Sequence, residues 1–212
     1  MSELNHLNIH VANIDSKFSS DLCEKLKLST SSELKLLKRS STLASRQFLV
    51  SRGLAAFILS TEWGSSSVEY LLDDSMSPPL ISPPNNLHLS ISHSKQYIAV
   101  VVSANHTAVD IENAARDRDY LGIAKKAFHP SEYEILEKSE SHKNLEDGFY
   151  KTWTLRECLY KLGELSSLTD QGFDTERQIR DGGFTPFSYA KGDIYLSLIS
   201  SKAININLIR HD

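Results

Sequence analysis

The stretch FYKTWTLRECLYKL, residues 149–162, decides how this sequence is interpreted. It predicts a helix, and at 3.6 residues per turn its leucines and Cys158 fall on one apolar side. The other side carries Trp153, Glu157 and Lys161 at intervals of four residues, one turn apart. A purely solvated surface rarely carries so much aromatic area beside such charges. We therefore expect this side of the helix to face a functional site.

Composition and charge are those of a globular chain in a reducing compartment. The chain has 212 residues, 40% of them hydrophobic and 24% charged, and a net charge of −4, which does not favour a nucleic-acid partner. Cys23 and Cys158 show neither metal-type spacing nor a disulfide framework. The N-terminus lacks an apolar signal region, and no run reaches the ~18–20 apolar residues that cross a bilayer. These features predict a cytoplasmic protein that binds neither membrane nor nucleic acid.

The order of the predicted elements indicates an α+β fold in two halves. In the first half, residues 7–11 and 87–103 form strands, and helices cover residues 17–27 and one long stretch, 31–60. The Ser- and Pro-rich residues 61–86 form a loop with one short strand. In the second half a strand at 106–113 precedes helices, and the chain ends in two alternating strands, 193–200 and 203–209. We place the domain boundary near residue 104, which divides the chain into residues 1–103 and 104–212.

Two acids on the predicted strand AVDIE are candidate metal ligands. Alternation along a strand places Asp110 and Glu112 on the same face, where their charges repel unless something neutralises them. Mg²⁺ favours carboxylate and phosphate oxygens. An isolated Asp-x-Glu is more often a solvated edge strand, and Glu157 with Lys161 alone would be a weak surface ion pair. Together they resemble a phosphoryl-transfer site in outline, with three acids and a cation.

The histidine in SISHS, residues 90–94, is a candidate phosphate contact. His93 lies between Ser92 and Ser94 at the end of an alternating strand. A histidine in a Ser-rich turn can donate hydrogen bonds to a phosphate. A structural or surface histidine is the alternative, and His93 alone leaves it open.

Three segments in order, SISHS, VDIE and FYKTWTLRECLYK, resemble the signatures of the Sfp-type 4′-phosphopantetheinyl transferases. Within that family the sequence is most similar to the bacterial AcpT-like holo-acyl-carrier-protein synthases. The resemblance covers residues 76–162, and the segment 46–52 is also similar. It implies a pseudo-dimer of two similar α+β halves, each a small mostly antiparallel sheet packed with helices, with the active site in the cleft between them. The implied reaction moves phosphopantetheine from coenzyme A to a serine of an apo acyl or peptidyl carrier protein and releases 3′,5′-ADP.

The resemblance also implies roles for individual residues. The Mg²⁺ ligands, with Mn²⁺ as an alternative ion, would be Asp110, Glu112 and Glu157. Glu157 or a metal-bound water would take the serine proton, and Lys161 would stabilise the leaving phosphate. Coenzyme A would be contacted by Arg46, Arg52, Ser92, His93 and Lys161. The carrier protein would meet Lys125, Lys126 and Phe128.

The sequence departs from the family pattern at four places. Ser77-Pro78-Pro79 stands where the family has a Gly-Lys-Pro loop, which predicts weaker binding of coenzyme A. The other three departures are Ser90 for Asn, Ala108 for Gly and Arg156 for Lys. A drifted, non-catalytic binding module for coenzyme A or carrier protein is the main alternative, and a metal-dependent nuclease is another. We expect a monomer, because a two-halved cleft needs no partner chain.

Overall fold

The computed structural model describes residues 6–64, 71–75, 80–82, 87–114 and 118–211. These residues form two compact units, one running to Thr107 and resuming at Ile204, the other comprising Ala108–Ala203. The first contains β1 (His6–Asn13), α1 (Lys17–Lys25), α2 (Thr30–Leu37), α3 (Thr42–Glu62), β2 (Leu71–Asp73), β3 (Leu80–Ser82), β4 (His88–Ser94), β5 (Tyr97–Ser103) and β9 (Asn205–His211). The second contains β6 (Thr107–Asn113), α4 (Tyr120–Ala127), α5 (Pro130–Glu137), α6 (His142–Lys161), α7 (Thr175–Asp181), β7 (Thr185–Lys191) and β8 (Ile194–Ser200). The predicted α+β class is confirmed.

The first unit is built on a four-stranded sheet in the order β4-β5-β1-β9. Its central strand β5 is buried along nearly its whole length, because β4 and β1 flank it on both edges. Alternate residues of a strand share one face, and those of β5 join the core that α3 supplies. This core includes Ile98, Val100 and Val102 of the strand and Val50, Leu54 and Ile58 of the helix. Because the apolar strand β5 is held in this core, the neighbouring strand β4 and the Ser-His-Ser residues at its end are held in place as well.

The long helical stretch predicted over residues 31–60 is two helices. Helix α2 ends at Leu37, and Ser41 begins α3 as its N-cap. The Ser41 hydroxyl accepts a hydrogen bond from the amide of Ala44 at 3.1 Å. A capping serine satisfies an amide that a helix start leaves without a partner, so the Ser-rich residues 40–41 favour a break over a continuous helix.

The second unit is built on a three-stranded sheet in the order β6-β8-β7. Strands β7 and β8 pair antiparallel with Lys191 opposite Ile194, which leaves the two-residue turn Gly192-Asp193. Gly192 has a φ of 59°, a left-handed conformation that costs glycine little. Strand β7 and helix α7 were not predicted from the sequence. The signal for β7 was this Gly-Asp turn, and the signal for α7 was the N-cap Asp174, whose carboxylate accepts a hydrogen bond from the amide of Arg177.

Helix α6 is packed on two sides, not one. Its aliphatic side joins a core with β8 and α7 whose members include Leu155, Cys158, Leu159 and Leu162. Its aromatic side joins a second core with α4 and α5 whose members include Phe149, Tyr150 and Phe128. Packing in this second core therefore accounts for the aromatic residues on the side of α6 that was expected to face a functional site.

The last strand of the chain differs from the predicted domain division. Strand β9 pairs in parallel with β1, from His6 opposite Asn205 to Ala12 opposite His211. Residues from Ile204 onward thus belong to the first unit, although they lie in the sequence range 104–212. The chain passes from the first unit to the second between residues 107 and 108. The predicted cleft between the halves stays a prediction.

Among the described residues, no helix combines the length and the apolar character that a membrane crossing requires.

Candidate functional site

Strand β6 and helix α6 bring the predicted acids and lysine of the second unit together. Val109 and Ile111 of the strand are buried in the core, so alternation directs Asp110 and Glu112 to the other face. The ammonium of Lys161 donates to Oδ1 of Asp110 at 2.7 Å and to the carbonyl oxygen of Val109 at 2.9 Å. A charged contact therefore fixes the last turn of α6 against the middle of β6.

Glu157 is a carboxyl whose acidity its surroundings alter. Its carboxyl is half-buried one turn before Lys161, and its pKa is raised to about 7. Burial is the largest cause, and the negative charges of Asp110 and then Glu112 add to it, while Lys161 opposes it. A carboxyl with this pKa exchanges its proton near neutral pH. That is the property required of a general base at physiological pH.

Lys161 remains a cation in these surroundings. Burial alone would lower the pKa of its ammonium, but Asp110 and Glu157 outweigh burial and raise that pKa. The side chain is 26% exposed, whereas the Asp110 side chain is 6% exposed. The lysine is thus a charged group held by protein on one side and still reachable by a substrate on the other.

The donor chemistry of this group fits a hard divalent cation. Three carboxylates, Asp110, Glu112 and Glu157, are close enough to act on one titration, and Lys161 supplies only one compensating charge. Oxygen donors with surplus negative charge are what Mg²⁺ and Mn²⁺ prefer. Among the described residues, however, no three acidic, histidine or cysteine side chains converge closely enough to hold an ion. In the observed arrangement, Lys161 takes one of the Asp110 oxygens.

The predicted phosphate contacts Ser92 and His93 lie at the end of β4 in the first unit. Ser92 is buried, with 8% of its surface exposed, and pairs with Ala99 across the β4–β5 ladder. His93 is exposed and pairs with Ile98. An exposed histidine at a strand end can reach a ligand, whereas the buried serine supports the strand.

Arg46 lies beside the turn that follows this strand. Its Nε donates to the carbonyl oxygen of Ile14 at 2.9 Å. It lines an open depression of about 380 Å³ together with Lys95 of the turn. Lys95 has a φ of 50°, which is uncommon for a residue with a side chain and is often found at functional turns. Lys95 was not predicted as a site residue, although it is the cation that directly follows Ser-His-Ser in the sequence.

Arg52 does not occupy the position expected of a coenzyme A contact. Its side chain is only 8% exposed, and its Nε and Nη2 donate to the two carboxylate oxygens of Asp74. Its Nη1 donates to the Ser51 hydroxyl, and its guanidinium lies over the Phe48 ring. The role predicted for Arg52 is corrected because a guanidinium paired with a buried carboxylate is already neutralised. The substituted loop residue Pro78 lies outside the described residues.

Phe128 is a core residue, which corrects its predicted contact with a carrier protein. It is 1% exposed, and its ring packs 5.4 Å from Phe149 and 6.3 Å from Trp153. Because the Trp153 and Phe149 rings also stack, with centroids 5.9 Å apart, the same cluster holds the tryptophan on the helix side that was expected to face a functional site. Lys125 and Lys126 are exposed on α4 and stay available to a partner.

Arg156, the departure from the family lysine, is fully buried beside Glu157. Its guanidinium donates to the carbonyl oxygens of Asp170 and Phe173, each at 2.7 Å, and faces Glu132 at 3.3 Å. A lysine ammonium has only three donors and no planar fork, so it could not repeat these contacts. The substitution is visible in the sequence, but nothing in the sequence indicates that Arg156 makes these buried contacts.

Comparison with known proteins points to one family. The sequence model of the 4′-phosphopantetheinyl transferase superfamily matches residues 107–197, a range that includes all four residues of the candidate site on β6 and α6. A 4′-phosphopantetheinyl transferase of Bacillus subtilis is 29% identical over 115 residues, which are 54% of this chain and 49% of that protein. A second B. subtilis protein, 4′-phosphopantetheinyl transferase ffp, is 33% identical over 84 residues, 39% of this chain and 36% of its own length. The 4′-phosphopantetheinyl transferase gsp of Aneurinibacillus migulanus is 29% identical over 76 residues, 36% and 31% of the two chains. The chain spans about half or less of the length of these curated relatives.

Proposed function

We propose that this chain transfers 4′-phosphopantetheine from coenzyme A, because residues 107–197 match the sequence model of the 4′-phosphopantetheinyl transferase superfamily. The acceptor is a serine hydroxyl of an apo acyl or peptidyl carrier protein, and the second product is 3′,5′-ADP. The observation that carries the proposal is the convergence of Asp110, Glu157 and Lys161 inside the matched range: the Lys161 ammonium lies 2.7 Å from Oδ1 of Asp110. Burial and the charges of Asp110 and Glu112 raise the pKa of Glu157 in the same group.

The proposed metal is Mg²⁺, with Mn²⁺ as the alternative, held by Asp110, Glu112 and Glu157. When bound, such an ion neutralises charge on the phosphate oxygens of the substrate. The support is the surplus of carboxylates over cations in this group. Because Lys161 takes an oxygen of Asp110 in the observed arrangement, we expect metal binding and the lysine contact to compete.

The side chains act on the proton and on the charge that develops. Glu157, whose pKa is about 7 in the metal-free protein, is the proposed acceptor of the proton of the attacking serine hydroxyl, and a metal-bound water would be the alternative acceptor. Lys161 stays charged and stabilises the phosphate oxygen that gains charge as the diphosphate bond breaks. Both groups lie on adjacent turns of α6, which keeps them close together.

The remaining contacts are proposed from exposure and charge. His93, Arg46 and Lys95 lie along or next to the β4–β5 turn and suit the phosphates of coenzyme A. Lys125 and Lys126 suit the acidic recognition helix of a carrier protein. Two free cysteines, Cys23 and Cys158, are consistent with a reducing compartment. We propose a monomer acting in the cytoplasm.

The decisive experiment is the intact mass of an apo acyl carrier protein after incubation with this protein, coenzyme A and Mg²⁺. We expect a gain of one phosphopantetheine that EDTA abolishes. The Glu157→Gln variant should lose transfer by about 10²-fold or more, because it can no longer accept a proton. Glu134→Gln, an exposed glutamate on α5, is the matched control and should keep full activity.

Two outcomes would overturn the proposal. No mass gain on acyl or peptidyl carriers from a folded protein that still binds coenzyme A would indicate a non-catalytic binding module. Cleavage of plasmid DNA with Mg²⁺ and no transfer would indicate a nuclease. Full activity of Glu157→Gln would leave the transferase but refute the assigned base.

A further inference from the structure

The first unit encloses a cavity that the proposed transfer does not use. Its volume is about 240 Å³, and it lies between α1 with the segment that follows it and α3. Its apolar walls are formed by Leu22, Leu26, Leu28, Ala56, Phe57 and Leu72. Small residues on α3 make room for it: a Cβ at Gly53 would lie only 3.0 Å from Cβ of Leu22, so glycine lets the helices approach closely at one end of the cavity.

The charged residues around this cavity are all positive. Lys25, Lys27 and Arg52 line it, and no aspartate or glutamate does. Within the described ranges, neither lysine forms an ion pair. Asp74, which Arg52 contacts, also receives the ammonium of Lys35 at 3.5 Å. Because Asp74 neutralises Arg52, the positive charge that an anion in the cavity would neutralise is that of Lys25 and Lys27.

Arg52 keeps hydrogen-bonding capacity at the cavity wall. A guanidinium has five N–H groups. With the described residues, Arg52 forms three hydrogen bonds, two to Asp74 and one to Ser51. Two N–H groups of this lining residue thus form no hydrogen bond with the described residues. A polar group at one end of an apolar pocket fixes the orientation of an amphipathic ligand.

The size of the cavity limits the ligand to a small molecule. Drug-sized ligands occupy pockets of about 300–1,000 Å³, and this cavity is smaller. A dry apolar cavity of about 150 Å³ holds a benzene-sized molecule, so this cavity suits an apolar group somewhat larger than benzene. A nucleotide-containing ligand would not be enclosed, whereas a hydrocarbon chain of about eight carbons would be.

We propose that this cavity binds a linear medium-chain carboxylate. Its hydrocarbon chain lies among the leucines of α1 and the segment after it, and its carboxylate faces Lys25, Lys27 and Arg52. The site is independent of the proposed transfer, since it requires neither metal, coenzyme A nor carrier protein.

The test is isothermal titration calorimetry of the intact protein with octanoate as the probe and octylamine as its cationic counterpart. We expect octanoate to bind with a 1:1 stoichiometry and octylamine to bind at least tenfold more weakly. Ala56→Phe, which fills the cavity, should remove octanoate binding. Ala44→Phe, on the same helix outside the cavity, should bind as the unchanged protein does.

A second pair of variants keeps the test decisive if Ala56→Phe does not fold. Lys25→Gln combined with Lys27→Gln should weaken octanoate binding at least fivefold, whereas Lys17→Gln, an exposed lysine of α1 outside the cavity, should not. Absence of octanoate binding by the unchanged protein would overturn the proposal. So would equal affinity for octylamine, or affinity that is unchanged in both the filled and the neutralised variant.

Discussion

The ammonium of Lys161 lies 2.7 Å from Oδ1 of Asp110 and 2.9 Å from the carbonyl oxygen of Val109. This contact joins helix α6 to strand β6, the two elements that carry the candidate site. It also places one cation among carboxylates whose mutual repulsion would otherwise be uncompensated. The lysine is therefore a structural counter-ion as well as a candidate catalytic group.

Lys161→Met should lower the free energy of unfolding by about 1–3 kcal/mol at pH 8 without metal. The variant keeps the length of the side chain and leaves the buried Asp110 carboxylate without its ion pair. Urea unfolding measures the change. Lys151→Met, an exposed position on the same helix, should stay within about 0.5 kcal/mol. Equal effects of the two variants would contradict the assignment.

Glu157→Gln should stabilise the metal-free protein in a pH-dependent way. The folded pKa of Glu157, about 7, lies above the unfolded value of about 4.3, so its protonated form is favoured in the fold. This stabilisation is fully present below about pH 4 and is lost as pH rises through about 7. The variant should therefore gain about 1–3 kcal/mol over the unchanged protein at pH 8 and nothing near pH 4. Unfolding midpoints measured across this range give the comparison, and a pH-independent difference would refute the raised pKa.

Arg156→Lys should destabilise the second unit by about 2–4 kcal/mol, although it restores the family residue. The lysine cannot donate at once to the carbonyl oxygens of Asp170 and Phe173 and to Glu132. Thermal unfolding with calorimetry measures the loss. Arg177→Lys, at an exposed arginine, is the control and should change little. If Arg156→Lys left the free energy of unfolding unchanged, these contacts would form without net stabilisation.

Phe128→Ala should cost about 3–5 kcal/mol, the range for deleting a buried aromatic side chain. The ring packs between Phe149 and Trp153 and is 1% exposed. Ile135→Ala removes an apolar side chain that is 70% exposed and should change stability by less than about 0.5 kcal/mol. Denaturant unfolding separates the two. A small effect at Phe128 would restore its predicted role on the surface.

Lys125→Glu combined with Lys126→Glu should raise the KM for an acyl carrier protein about tenfold or more while leaving the KM for coenzyme A unchanged. Reversing exposed charges removes attraction to an acidic partner and affects encounter more than chemistry. Steady-state transfer assays with each substrate varied in turn provide the measurement. Lys138→Glu, an exposed lysine after α5, is the matched control. A parallel rise in both KM values would argue against a carrier-specific surface.

The aromatic side of α6 shows where sequence interpretation was incomplete. The spacing of Trp153, Glu157 and Lys161 singled out the helix side that bears the candidate site. It could not distinguish an aromatic residue facing a ligand from one in a second core, because both produce the same periodicity. The cluster around Phe149 and Phe128 resolves this for Trp153.

Two arginines of α3 show the same limit of prediction from local sequence patterns. Arg46 and Arg52 are six residues apart on one helix, and the family resemblance implied that both contact coenzyme A. Their surroundings differ: Arg46 lines an open depression, whereas Arg52 is paired with Asp74, a residue from another segment. A partner distant in sequence is invisible to local patterns.

The sequence by itself determined the α+β class, the strand that carries Asp110 and Glu112, and the helix that carries Glu157 and Lys161. Periodicity and alternation are local consequences of backbone geometry, so they can be read without the fold. Only the tertiary structure decided that β9 returns to β1, that Phe128 and Arg156 are interior, and that Glu157 titrates near neutrality. Those properties depend on burial and on charges brought together from distant parts of the chain, and both arise only when the chain packs.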